Sequence, residues 1–225
     1  LALEILYQSS QFVVVNKPAG LLMHRTGISQ DTVFLLQQLR NQLGLRVHAV
    51  NRLDRATSGA VLFALSPDAA RIGEASFSAR LVEKSYLGVV RGFIESRVID
   101  SPLSDEGSDE RKPAITAIDA LKRVQLPIAI GRYPEQRYSL IRAWPRTGRM
   151  HQIRRHLHQV FHPLIGDTTH GEGRHNRLFR EHLGSTRLLL HAEWLKVNLA
   201  GELLDVRAPL NPDFLHVLDQ LDWLE

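Results

Sequence analysis

The chain has 225 residues, 44% hydrophobic and 23% charged, enough for one domain with a sizeable core and too few polar residues for a long disordered arm. It contains no cysteine, which excludes disulfides, zinc-thiolate sites and thiol catalysis; no apolar run approaches a membrane span, and residues 1–7 lack a signal-peptide pattern, so a soluble cytoplasmic protein is expected. The net charge of +4 and pI of 9.7 are unevenly distributed: arginines recur from Arg132 to Arg187 with no lysine among them, as suits bidentate contacts to phosphate, whereas the acidic stretch 202–225 is expected to lie away from the anion-binding face.

In chain order, Phe12–Asn16 is a β-branched run stopped by Lys17-Pro18-Ala19-Gly20. A helix is predicted over 31–43 with Asp31 as its N-cap, and a second from Pro67 to about Ala79 capped by Ser66. Strands are predicted over 83–92, 114–124, 138–144, 188–197 and 203–207, a polar loop over 102–113, and a final helix over 213–221. Strands outnumber helices without regular alternation, which predicts an α+β fold with a mixed, largely antiparallel sheet and flanking helices, in one domain spanning 1–225.

Between the apolar runs 47–50 and 60–65 lies Asn51-Arg52-Leu53-Asp54-Arg55-Ala56-Thr57-Ser58-Gly59. It sets one carboxylate between two guanidiniums in a turn held at both ends. Flanking positive charge favours an anionic carboxylate, so Asp54 is the best nucleophile or base candidate in the chain. The competing reading is a surface ion pair of little energetic value.

The second informative stretch runs from Thr147 to Phe161. As a helix capped by Thr147, it places Met150, Ile153, Leu157, Val160 and Phe161 on one stripe. At about 100° per residue, Arg154 falls at the edge of that stripe and Arg155 points to solvent. A half-buried guanidinium calls for an inward anion, and Asp54 is a natural one, while Arg149 and Arg155 are left for phosphates. His151, His156, His158, His162, His170 and His175 crowd the same region. The His158/His162 pair lacks the glutamate of a metalloprotease motif, so contacts to bases or phosphates explain the crowding better than a metal.

Together these stretches resemble the RluA-type pseudouridine synthases, in which a His-Arg-Leu-Asp-Arg-x-Thr-Ser-Gly turn carries the catalytic aspartate. Val15-Asn16-Lys17-Pro18-Ala19-Gly20, Lys84-Ser85-Tyr86 and Thr147-Gly148-Arg149-Met150-His151-Gln152-Ile153-Arg154 are similar to three further family motifs, in order along the chain. Gly131-Arg132-Tyr133-Pro134, Arg154-Arg155-His156-Leu157, His162-Pro163-Leu164-Ile165-Gly166-Asp167 and Arg187-Leu188-Leu189-Leu190-His191-Ala192 most resemble the branch that modifies uridine 65 of tRNA. The resemblance implies the pseudouridine synthase fold and an RNA-modifying isomerase with no cofactor, no metal and no obligate protein partner. It makes Asp54 the nucleophile, Arg154 its partner, and Tyr86 the residue that stacks on the extruded uracil. Arg52 would enter the space left by the flipped nucleotide, with Lys17, Arg149, His151 and Arg155 as further substrate-binding residues. Asn51 stands where the family usually has histidine, and the S4-like RNA-binding domain of many relatives is not expected here. A ribosomal RNA target, or a non-catalytic RNA-binding protein on the same scaffold, are the rival readings.

Overall fold

A computed structural model describes residues 2–24, 32–105 and 107–224. The chain divides into two compact units, Leu1–Lys84 with His191–Leu210, and Ser85–Leu190 with Asn211–Glu225.

In the first unit, the β-branched run forms β2 (Phe12–Lys17), which pairs antiparallel with β1 (Glu4–Gln8) on one side and β4 (Ser58–Ala64) on the other. Every residue of β2 and β4 is buried, which explains why both read as continuous apolar runs rather than alternating ones. The short β3 (His48–Ala49) joins β4 antiparallel. On its other edge β4 runs parallel to β11 (Leu190–Leu199), which pairs antiparallel with β12 (Glu202–Arg207). Phe12, Val14, Leu62, Leu195, Val197 and Leu204 form the centre of this unit's core, closed by Ala69 and Ala70 of α2 (Pro67–Ser78). Ser66 caps α2 as predicted, its hydroxyl accepting from the Ala69 N–H. The first helix, α1, covers Leu35–Leu43; the Asp31 cap expected for it lies outside the described residues.

The second unit is built on β5 (Val82–Arg91), β10 (Gln136–Pro145), β9 (Ile115–Leu126) and β6 (Arg97–Asp100), each antiparallel to the next. The segment expected to be all loop, 102–113, contains a small hairpin, β7 (Leu103–Ser104) with β8 (Arg111–Lys112). Among the described residues this unit holds three helices, α3 (Gln152–Gln159), α4 (Gly173–Leu183) and α5 (Pro212–Gln220).

Three expectations are corrected. Thr147 does not cap α3, because the helix begins only at Gln152, after His151 adopts a left-handed φ of 52°. The stripe is shorter than predicted: Ile153 and Leu157 are buried, but Met150 precedes the helix and Phe161, with φ 64°, follows it, and both are exposed. The acidic end of the chain is not segregated from the arginines either, since Asp213 at the start of α5 accepts from Arg187 Nη1 at 2.9 Å.

Candidate functional site

Asp54 sits half-buried in the turn between β3 and β4, and the backbone around it is fixed from several directions. Lys17 is fully buried, and its ammonium donates to the carbonyls of Pro18 (3.0 Å), Arg55 (3.0 Å) and Thr57 (2.7 Å). The Gly20 N–H donates to the Arg55 carbonyl at 2.8 Å, while Arg55 Nε returns a bond to the Gly20 carbonyl at 3.0 Å. A buried ammonium is costly unless its protons are satisfied, so these carbonyls and the lysine hold each other in place. The sequence placed Lys17 among the substrate ligands; the structure sets its ammonium against the backbone that presents Asp54.

Both ends of the turn are secured as well. Asn51 Oδ1 accepts from the Leu62 N–H at 2.8 Å, so the residue that departs from the family pattern anchors the turn's entrance to β4. At the exit, Gly59 has a φ of 114°, and a Cβ there would lie 2.2 Å from the Ala192 carbonyl oxygen; only glycine permits this approach. Beside it Ser58 Oγ and His191 Nδ1 are 2.8 Å apart, and His191 Nε2 is 3.1 Å from the Ala208 carbonyl. That carbonyl must accept, so Nε2 carries the proton and Nδ1 accepts from Ser58. Arg52 is exposed.

In the second unit the central group is Arg154, 6% exposed. Its Nε and Nη2 donate to the two carboxylate oxygens of Asp167 at 2.7 and 2.9 Å. Asp167 Oδ1 also accepts the backbone N–H groups of Thr169 and His170, both at 2.9 Å. Burial pushes the Asp167 carboxyl up, but the Arg154 hydrogen bond and charge and the two N–H groups outweigh it, leaving it at about 2. Asn176 bridges the same loop, donating to the Asp167 carbonyl and accepting from the Gly166 N–H. Asp167, the last residue of the branch motif His162–Asp167, thus supplies an inward carboxylate to Arg154.

The start of α3 is held by Gln152, whose side-chain amide is fully used. Its nitrogen donates to the Ile115 carbonyl and Thr116 Oγ1, and its oxygen accepts from Thr147 Oγ1 and the Arg149 N–H. Thr116 Oγ1 lies 2.9 Å from His156 Nδ1, and His156 Nε2 lies 2.9 Å from the Ser101 carbonyl. The chain of donors therefore runs from Gln152 through Thr116 to a neutral His156, and burial lowers the pKa of that histidine.

Several predicted binding groups are committed to the protein itself. Arg155 does not swing freely to solvent: it is half-buried, and Nη1 donates to the Ser104 carbonyl at 2.7 Å. Arg149 Nε reaches the Pro113 carbonyl at 3.3 Å. His151 Nδ1 is 3.1 Å from His170 Nε2, and burial lowers the pKa of His170. His158 donates to the His170 carbonyl, His162 to the Arg91 carbonyl, and the buried His175 pairs with the Tyr138 hydroxyl at 2.9 Å. Much of the histidine crowding is therefore structural. Tyr86 is half-buried on β5, in register with Ala143 of β10. Among the described residues, no three His, Asp or Glu side chains are grouped to hold a metal ion.

A family model described as RNA pseudouridylate synthase matches residues 11–159. The tRNA pseudouridine synthase C of Vibrio cholerae is 43% identical over 237 residues, covering 99% of this chain and 97% of that protein. Its Yersinia pestis namesake is 42% identical, covering 98% of this chain and 91% of its own length. Among solved structures, human RNA pseudouridylate synthase domain containing 1 superposes with a TM-score of 0.76 at 30% identity, covering 94% of this chain and 86% of that one. The observed α+β architecture is the one these structures share. No described helix is long and apolar enough to cross a membrane. The chain therefore belongs to the RNA pseudouridylate synthase family and is an isomerase acting on uridine in RNA.

Proposed function

We propose that the substrate is tRNA, that the target is uridine 65, and that Asp54 is the carboxylate that opens the reaction, in a single cytoplasmic catalytic domain without cofactor. The observation that carries the choice of tRNA is the end-to-end similarity to relatives named tRNA pseudouridine synthase C. Position 65 follows from the branch motifs quoted above.

The conversion requires the uridine to leave its stack, the glycosidic bond to break, and the uracil to rotate and rejoin through carbon. Attack on C1′, attack on C6 and removal of a sugar proton all begin with an ionised carboxylate on a rigid support. The Lys17, Gly20, Asn51 and Gly59 contacts supply such a support around Asp54. In this reading Tyr86 stacks on the extruded base and Arg154 serves the anionic centre. Arg52, exposed beside Asp54 in sequence, fills the vacated position in the RNA, and Arg149, His151 and Arg155 lie along the RNA path.

Mapping pseudouridine in total RNA from cells with and without the protein tests the assignment. Loss confined to position 65 of tRNA is the expected result. Loss at a ribosomal site instead would replace tRNA by ribosomal RNA and leave the chemistry intact.

A further inference from the structure

Beyond the groups assigned above, the turn that joins β9 to β10 carries an arrangement the reaction does not require. Ile130 and Tyr133 exchange both backbone hydrogen bonds, at 2.9 and 3.2 Å, closing a tight turn with Gly131 and Arg132 at its tip. Gly131 supplies the positive φ, 59°, that such a turn needs at its first central residue. The Arg132 guanidinium lies 5.1 Å from the centroid of the Tyr133 ring and donates from Nη2 to its hydroxyl at 2.9 Å. Tyr133 is itself 56% exposed, so the stack stands in solvent rather than filling a core.

α4 brings two further cations to this face. A Cβ built on Gly131 would be 3.7 Å from Arg174 Nη1, so the guanidinium of Arg174 passes over the same turn. Arg177 follows one helical turn later, and both are exposed. Glu172, two residues before Arg174, pairs with Arg91 and faces His175, and Glu135, three residues after Arg132, accepts from Gln125; Glu181, one helical turn after Arg177, makes no ion pair with it. Among the described residues no ion pair involves Arg132, Arg174 or Arg177.

Unpaired surface arginines are ordinary, but one engaged by a neighbouring aromatic ring and its hydroxyl has less side-chain freedom left for binding to remove. Only one of its nitrogens is used by the hydroxyl, and the remaining N–H groups of the planar guanidinium suffice for two phosphate oxygens. We propose that Arg132, positioned by Tyr133, forms with Arg174 and Arg177 a phosphate clamp for the RNA backbone, separate from the groups that act on the uridine. The inference rests on the RNA-modifying reading above and adds a docking site to it.

The test uses the full chain and a tRNA substrate, measuring affinity against salt concentration and turnover at saturating RNA. Each phosphate contact removed should make the slope of log K against log salt shallower by about 0.9 and weaken binding about fivefold near physiological salt. Arg132→Ala combined with Arg174→Ala and Arg177→Ala should therefore weaken binding by about a hundredfold, with kcat at saturation kept. Tyr133→Leu should reproduce part of the Arg132→Ala loss, and adding it to Arg132→Ala should cost nothing more, because the ring acts only through the guanidinium. Unchanged affinity and slope in the triple variant would overturn the clamp and leave this face to a protein partner. A wild-type protein that converts no tRNA would instead refute the substrate reading.

Discussion

The two centres described here are held by opposite means. The Asp54 turn is held largely through backbone: a buried lysine donates to three carbonyls around it, the Gly20 N–H donates to the Arg55 carbonyl, and Gly59 permits the close approach of Ala192. Arg154 is fixed through its own side chain, by a buried carboxylate that is in turn fixed by two N–H groups. The first arrangement should tolerate change of the presented side chain and fail when its scaffold is touched. The second ties the arginine side chain itself to a titratable partner, so it should respond to acid.

The largest stability effect expected from this contrast is at Lys17. Lys17→Met keeps the buried volume but strips the charged donor from three carbonyls, and it should cost about 4 kcal/mol, at roughly 1–2 kcal/mol for each carbonyl left short. Chemical denaturation measures this; a loss under 1 kcal/mol would mean the ammonium is not what holds the turn. Asp167→Asn should come next, destabilising by about 3 kcal/mol because Arg154 is left buried beside a neutral group. Turnover should fall in that variant more than RNA affinity does, if Arg154 serves the reaction.

The same pair sets an acid limb. The Asp167 carboxyl is lowered from 3.8 to about 2, so its contribution, about 2 kcal/mol, is complete above pH 4 and is lost as pH falls from there through about 2. Asp167→Asn should flatten that limb in a stability-against-pH series, and a limb of unchanged depth would assign it to other carboxylates. A milder loss should begin below the ordinary histidine value of 6.5, because burial lowers the pKa of His156, His170 and His175 and the folded state holds them neutral. Replacing His156 by asparagine should reduce that slope. The smallest effect is expected for Asn51→Ala, about 1 kcal/mol for the bond lost to the Leu62 N–H, with a correspondingly small fall in turnover.

What could be read without coordinates follows the same division. The Asp54 turn was legible because the apolar runs 47–50 and 60–65 on both sides force it to be a turn, and the cap of α2 was legible because Ser66-Pro67 is a local signal. α4 is not among the predicted elements although His175, Leu178, Phe179 and Leu183, all buried, keep helical spacing; the intervening arginines, which form its polar face, make the segment read as a charge cluster. The start of α3 was misplaced because nothing in the residue type of His151 announces a left-handed φ. Asp167 and the buried ammonium of Lys17 depend on long-range pairing. No periodicity marks a lysine whose chain folds back under a turn 38 residues away.

The most direct test of the central claim is Asp54→Asn in purified protein, with tRNA affinity and pseudouridine formation measured on the same preparation. Asp54→Asn keeps the size of the side chain and leaves the Lys17, Gly20 and Asn51 bonds around the turn in place, so the variant should fold and bind tRNA within about twofold of the wild type while conversion falls by at least about a thousandfold, the scale expected when a nucleophile is removed. Conversion at the wild-type rate by the asparagine variant would contradict the account.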